Sequence, residues 1–260
     1  MTDTPSLLRN ARHNELFFSV ITVTRNNLSG LRRTCSSLKS QTCRDFEWIV
    51  IDGASEDSTP VFLATTSAQW ISEPDTGLYD AMNKGIDRAQ GTYVLFLNAG
   101  DMLAFPDTLA QLRHTIPADT SFVYGDALES FTDHLPQMKK ARHAAWHTGM
   151  ITHHQAMLYR RSDIQTLRYN TTYTIAADYD FTLRFLRNNP AIFYLSFPLC
   201  LFESGGISQK KSRLGRTEQY TIRKNLKCVG PLRNYTIQYL QYFFWCLRQF
   251  FPALYWRLKS

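Results

Sequence analysis

Metal-ligand spacing, an export signal and a long apolar run are all missing from this chain. The five cysteines, Cys35, Cys43, Cys200, Cys228 and Cys246, are odd in number and scattered, which points to reduced thiols in a cytosolic protein. Seven histidines include the adjacent pair His153-His154, but no Cys or His follows at a zinc-binding interval. Residues 1–16 are polar, so they read as a loose leader rather than an export signal. There is no internal repeat. No acidic residue follows Glu218.

That last absence locates the net charge of +7. Arg223, Lys224, Lys227, Arg233, Arg248, Arg257 and Lys259 are the cations beyond Glu218, leaving 22 basic and 22 acidic residues in 1–218. The basic pI of about 9.2 therefore belongs to the tail. A neutral body with a basic, aromatic tail fits a membrane surface better than nucleic acid. On a helix, Gln238, Gln241, Arg248 and Gln249 gather in one polar arc, with Phe243, Phe244, Leu247, Phe250 and Phe251 on the other side. Pro252 should bend or break that helix. Four polar residues and a proline argue against a spanning segment. The tail is expected to be an interfacial helix, peripheral on the inner face of the cell membrane.

The body, 260 residues long with the tail and 44% hydrophobic, has room for one large domain with an appendage. Phe17–Thr24 reads as a buried strand, and Leu28, Leu31, Cys35 and Leu38 recur at helical spacing. Further strands are expected at 46–51, 70–72, 93–97, 121–124 and 192–197. Helices are expected from Thr59, over 78–89 and 106–114, and from Asp178. Residues 127–160 read as irregular or antiparallel. Residues 203–212 read as a Gly/Ser/Lys loop, and the chain from Arg216 as helical. Strands alternating with helices imply an α/β fold with a mainly parallel sheet. The expected division is a leader (1–16), a catalytic domain (17–215) and a membrane-associating segment (216–260).

Two of these strands end in carboxylates: Asp52-Gly-Ala-Ser55 follows the second, and Asn98-Ala-Gly-Asp101 follows Tyr93–Leu97. Ligands of open α/β sheets sit beyond such carboxyl ends. Between them lies Glu73-Pro-Asp-Thr-Gly-Leu-Tyr-Asp-Ala-Met-Asn-Lys-Gly-Ile86. As a helix, it carries Asp80, Asn83, Lys84 and Asp87 on one face and Leu78, Met82, Gly85 and Ile86 on the other.

This stretch resembles the inverting family 2 glycosyltransferases, and within them bacterial enzymes of exopolysaccharide assembly, including the colanic acid type. The resemblance runs from about Phe17 to Ser208. It implies the GT-A fold, a nucleotide-sugar donor carrying UDP or GDP, and a saccharide or lipid-linked saccharide acceptor at the cytosolic membrane face. It implies nucleotide contacts at Thr24, Arg25 and Asn26 after the first strand, at Asp52 after the second, and at Asp80, Asn83 and Lys84. Asp101 is the candidate ligand for Mg²⁺ or Mn²⁺, which would neutralise the departing diphosphate. The family usually has Asp-x-Asp-Asp here. In this chain Asn98 and Gly100 take positions that can be acidic, so Asn98 is left to bond the ribose. His154, Gln155 and Asp126 are candidates for the acceptor side. The cationic stretch from Glu203 to Arg213 is a candidate loop over the diphosphate.

Inversion needs a base for the acceptor hydroxyl, and the resemblance implies a carboxylate at the start of a late helix. Asp178 and Asp180 compete there. Asp178 shares a helical face with Phe181, Thr182 and Phe185, whereas Asp180 aligns with Arg184 and Arg187 as in a solvent ion pair. Asp178 is therefore the expected base. Two other readings compete: a sugar-phosphate nucleotidyltransferase, which usually has a Gly-rich loop where this chain has Thr24-Arg-Asn-Asn-Leu-Ser-Gly30, and a non-catalytic membrane-associated scaffold.

Overall fold

The computed structural model describes residues 16–131, 135–142 and 146–251. The expected leader, apart from Leu16, and the break at Pro252 lie outside the described residues. β1 (Phe18–Thr24) is buried along its whole length, as its β-branched residues predict. Asn27 then caps α1 (Leu28–Lys39) by accepting the Gly30 N–H. β2 (Phe46–Asp52), α2 (Thr59–Leu63), β3 (Gln69–Ser72), α3 (Leu78–Arg88) and β4 (Tyr93–Phe96) complete the first half. All three pairings among β1 to β4 are parallel, with Thr24 in register with Asp52. The polar ends of β1 and β2 therefore lie side by side.

The second half mixes directions. β5 (Met102–Leu103), α4 (Thr108–Thr115), β6 (Phe122–Ser130), β7 (Gln137–Lys139), β8 (Met157–Arg160), α5 (Ala177–Leu186) and β9 (Ile192–Glu203) follow. The sheet order is β3-β2-β1-β4-β8-β6-β9-β5, with β7 also on β6. β8 lies antiparallel between β4 and β6. The long β6–β9 pairing is parallel, with a bulge around Asp126. The sheet is thus α/β and mostly parallel, with antiparallel pairs concentrated around β8, β7 and β5. β6 and β9 both run well past their expected ends, so the loop expected over 203–212 begins only at Ser204, and a short helix takes up 207–210 of it.

Helices cover both faces. One layer packs Ile21, Ile49, Ile51 and Phe96 against Met82 and Ile86 of α3 and Phe181 and Phe185 of α5. The other packs Val20, Val50 and Leu95 against Leu31, Cys35 and Leu38 of α1. Each large apolar side chain removed from water in this way contributes about 1.5–3 kcal/mol. α6 (Ile207–Lys210), α7 (Ser212–Asn225) and α8 (Pro231–Phe250) end the fold. The boundary expected at 215/216 falls inside α7, whose Ile222 is fully buried against Ala176, Tyr179 and Leu183. No helix among the described residues is long and apolar enough to cross a membrane.

Candidate active site

The turn after β4 is built before any ligand arrives. Gly100 has φ +112°, a conformation that favours glycine. Thr34 on α1 clasps this turn, with its hydroxyl accepting the Gly100 N–H at 3.0 Å and donating to the Asp101 carbonyl at 2.7 Å. Asn27 donates to the Ala99 carbonyl at 3.0 Å. Asp101 is thereby held at the sheet's carboxyl edge. Its Oδ2 accepts from Gln155 Nε2 at 2.7 Å. Burial, with the Glu203 carboxylate nearby, raises its pKa to about 6.

Gln155 and His154 sit in the 3-10 turn His154–Ala156 just before β8. The antiparallel insertion of β8 beside β4 brings that turn to the Asn98–Asp101 turn. Asn98 Nδ2 lies 3.1 Å from His154 Nε2, and with the amide donating, the ring proton sits on Nδ1. That nitrogen is 3.6 Å from Asp178 Oδ2. The pair is not ionic at neutral pH, because burial, aided by His153, pushes the His154 pKa down to about 3. A polar chain thus runs Asn98, His154, Asp178, with Asp101 and Gln155 alongside.

Another residue holds the turn that leads into the helix of Asp178. Glu218 on α7 accepts the backbone N–H groups of Thr174, Ile175 and Ala176 at 2.8, 2.9 and 2.8 Å. Anionic capping of this kind suits a helix N-terminus. The Asp178 side chain is 18% exposed; the Tyr79 hydroxyl and its own N–H stand close to the carboxylate, and its Oδ1 accepts the Tyr179 N–H at 2.8 Å. Burial outweighs that bond and raises its pKa to about 6, with the Glu218 charge adding to the rise. Asp180 differs from expectation: it is 4% exposed, and only Arg184 pairs with it, at 2.7 Å. Arg187 turns instead to the Leu226 carbonyl. The i,i+4 spacing chose the right partner, but the pair lies inside the protein rather than in solvent.

The other predicted residues form a second group at the ends of β1, β2 and α3. Arg25 is exposed. Asn26, at φ +50°, joins the two strand ends, since its N–H donates to Ser55 Oγ and its Oδ1 accepts the Glu56 N–H. Thr24 Oγ1 is buried without a partner among the described residues. Asp52 is fully buried and its oxygens accept from Ser55 and Ser72. Asp80 accepts the Thr76 N–H, and Lys84 pairs with Glu73 at 2.8 Å and donates to the Pro74 carbonyl. These two contacts shape the loop leading into α3. Asn83 is spent at both ends of its amide on the Tyr169 backbone. Asp126 stands apart: its oxygens accept from Lys140, the Ala141 N–H and Tyr194. Burial works to raise its pKa, but these donors hold it below the usual range.

Three contributors were not foreseen: Thr34 behind the turn, Glu218 at the helix cap, and the pair of Arg33 with Glu203 at 2.6 Å. Each acts on the site from far along the chain, so local spacing carried no signal for them.

Residues 19–193 match the family described as Glycosyl transferase family 2. The chain belongs to that family. Its activity is accordingly glycosyl transfer. It is 36% identical over 212 residues to a PGL/p-HBAD biosynthesis glycosyltransferase of Mycobacterium bovis, covering 74% of this chain and 78% of that protein. Among solved structures it resembles S. aureus TarS 1-349 in complex with UDP-GlcNAc, with a TM-score of 0.63 at 17% identity over 85% of this chain and 70% of that one. It also resembles the mannosyltransferase PcManGT from Pyrobaculum calidifontis in complex with GDP-Man and Mn²⁺, with a TM-score of 0.64 at 17% identity over 86% and 68%. At such identities the likeness shows the fold, which is GT-A.

The residues around Asp101 fit a hard cation in one respect. Asn98 Oδ1 and Gln155 Oε1 are buried oxygens without a partner among the described residues, and they flank a carboxylate. Oxygen donors are what Mg²⁺ and Mn²⁺ prefer. Among the described residues no three His, Cys, Asp or Glu side chains gather into a metal cluster. A cation held at Asp101 would complete its shell with phosphate oxygens and water.

Proposed function

We propose that this glycosyltransferase moves a sugar, with inversion, from a UDP- or GDP-sugar to a glycan or lipid-linked saccharide at the cytosolic face of a membrane. The setting would be assembly of a bacterial surface polysaccharide or glycolipid. The observation that carries the reading is the meeting of Asp101, through Gln155, with Asp178, through His154 and Asn98. A proton acceptor and a cation-suited carboxylate are needed side by side for this reaction, and here they share one polar cluster.

In this account Asp178 takes the proton of the attacking acceptor hydroxyl. With a pKa of about 6 it is mostly ionised at neutral pH yet basic enough to accept a proton. His154, neutral, presents Nδ1–H toward Asp178 and orients it. Mg²⁺ or Mn²⁺ bound at Asp101 would supply charge neutralisation for the diphosphate as it leaves. Thr24, Arg25, Asn26 and Asp52 would border the nucleoside, and Asp80 and Lys84 the loop beside it. The names of similar proteins agree with such donors: UDP-GlcNAc for TarS and GDP-Man with Mn²⁺ for PcManGT.

A panel of UDP- and GDP-sugars, screened by thermal shift with and without Mn²⁺, tests this, since a ligand of the native state raises its stability. One donor should give a cation-dependent shift and then slow hydrolysis or transfer. No shift with any donor, from folded protein, would favour a non-catalytic scaffold.

A further inference from the structure

Two amide side chains, Asn234 and Gln241, hold α8 to the body. Asn234 is 2% exposed, with its Oδ1 accepting from the buried Arg223 and its amide donating to the Tyr220 carbonyl. Gln241 on the same side donates to the Thr148 carbonyl and to Gln219. Ile237 and Leu247 are the apolar residues buried with them. At 100° per residue, Leu232, Tyr235, Tyr239, Tyr242, Phe243 and Phe250 share an arc of about 100° on the opposite side, and all six are exposed. A helix held only by core packing would bury that arc and expose its glutamines.

Beside this face lies a cavity of about 320 Å³ between α7 and α8, lined by Arg213, Arg216, Thr217, Tyr235, Tyr239 and Tyr242 among others. Arg216 is held with its guanidinium 5.2 Å from the Trp245 ring centroid, and its Nη2 is buried without a partner among the described residues. Glu218 is the last acidic residue of the chain, and its oxygens are taken by the α5 cap. Nothing acidic on α7 or α8 therefore answers the arginines. Exposed aromatics, an unanswered guanidinium and a cavity lined by tyrosines match the boundary between headgroups and acyl chains of an anionic bilayer.

We infer that α7 and α8 together form a membrane-docking surface, with the Tyr/Phe arc of α8 entering the headgroup layer and the Arg216 cavity taking the phosphate of an anionic phospholipid. This rests on the membrane-face part of the proposed function and adds the face, the orientation and the ligand chemistry. It orients the enzyme: Glu218, one residue from the cavity-lining Thr217, caps the helix that carries Asp178, so the docked helices abut the base.

Co-sedimentation of the full chain with vesicles tests it, using phosphatidylcholine alone and phosphatidylcholine with about one-third phosphatidylglycerol. The wild type should pellet with the anionic vesicles and only weakly with the neutral ones. Arg216→Gln should bind about fivefold more weakly, the loss expected for one cation near an anionic surface, and Arg216→Lys should recover most of it. Tyr239→Ser with Phe243→Ser should lose binding to both vesicle types. Circular dichroism and thermal melting should show all variants folded. Undiminished binding by Arg216→Gln, or equal binding to both vesicle types, overturns the phosphate site. A dimer in solution that binds no vesicles overturns the docking surface in favour of a second copy. Stabilisation by inorganic phosphate that depends on Arg216, without vesicle binding, assigns the cavity to a soluble phosphate compound and likewise overturns it. Donor hydrolysis on the same samples separates the two claims: wild type that turns over donor but ignores vesicles sinks this inference alone, whereas vesicle binding without donor turnover sinks the transferase reading alone.

Discussion

Asp126 and Asp178 are both interior carboxylates, and their surroundings treat them oppositely. Asp126, fully buried, receives Lys140, Tyr194 and a backbone N–H, and its pKa falls. Asp178 has backbone N–H groups, the Tyr79 hydroxyl and a neutral imidazole at long range but no Lys or Arg partner among the described residues, and burial still raises its pKa to about 6. A buried charge whose donors are complete is architecture, because nothing remains to offer a ligand. A buried charge left without a cation costs stability, and that cost is tolerated where a proton must be taken. The same contrast divides Asn83, spent on Tyr169, from Asn98, whose Oδ1 has no partner among the described residues.

The largest expected effect is at Asp178. Asp178→Asn should fold and lose turnover by about a thousandfold, within the range for removing a general base, measured as single-turnover transfer. Asp101→Asn should abolish the cation-dependent part of donor stabilisation in thermal shift and lower turnover by about a hundredfold. Next comes the pH profile. An acid of raised pKa acts as a base only when ionised, so the rate should fall as pH drops through about 6 and level off above it. Glu218→Gln should lower the rate by about tenfold, by loosening the cap, and move that limb to lower pH by removing a neighbouring negative charge. The smallest effect on rate is at Asp126. Asp126→Asn should keep turnover per folded molecule within about threefold while losing about 1–3 kcal/mol of stability.

Part of the site was legible in the sequence, although Asp126, expected on the acceptor side, has its oxygens taken up internally. The apolar runs ending at Asp52 and Asp101 gave the strand ends, because burial on both faces makes such strands continuous in hydrophobicity. Helical spacing put Asp178 inward and Asp180 outward, whereas the structure buries Asp180 the more deeply of the two. What stayed hidden was set by tertiary cover. Spacing paired Asp180 with Arg184 but carried no measure of depth. Glu218 caps a helix more than forty residues upstream. The antiparallel reading of 127–160 fits β8, but its insertion between β4 and β6, which carries His154 and Gln155 to Asn98 and Asp101, has no local signature. Amphipathicity gave α8 two faces without saying which would face the protein, and the structure anchors it through Asn234 and Gln241 while leaving most of its Tyr and Phe residues exposed.

The measurement that tests the central contrast most directly is urea unfolding of Asp178→Asn and Asp126→Asn side by side at about pH 7.5, with turnover on the same samples. The signs follow from linkage. For Asp178 the folded-state pKa is raised, so stability falls as pH rises from about 4 through about 6, and removing the charge should return up to about 3 kcal/mol. For Asp126 the folded-state pKa is depressed, so its contribution is present above about pH 4 and should be lost on substitution. The account predicts a more stable, inactive Asp178→Asn and a less stable, active Asp126→Asn. Two destabilised proteins, with Asp178→Asn retaining near-normal turnover, would contradict it.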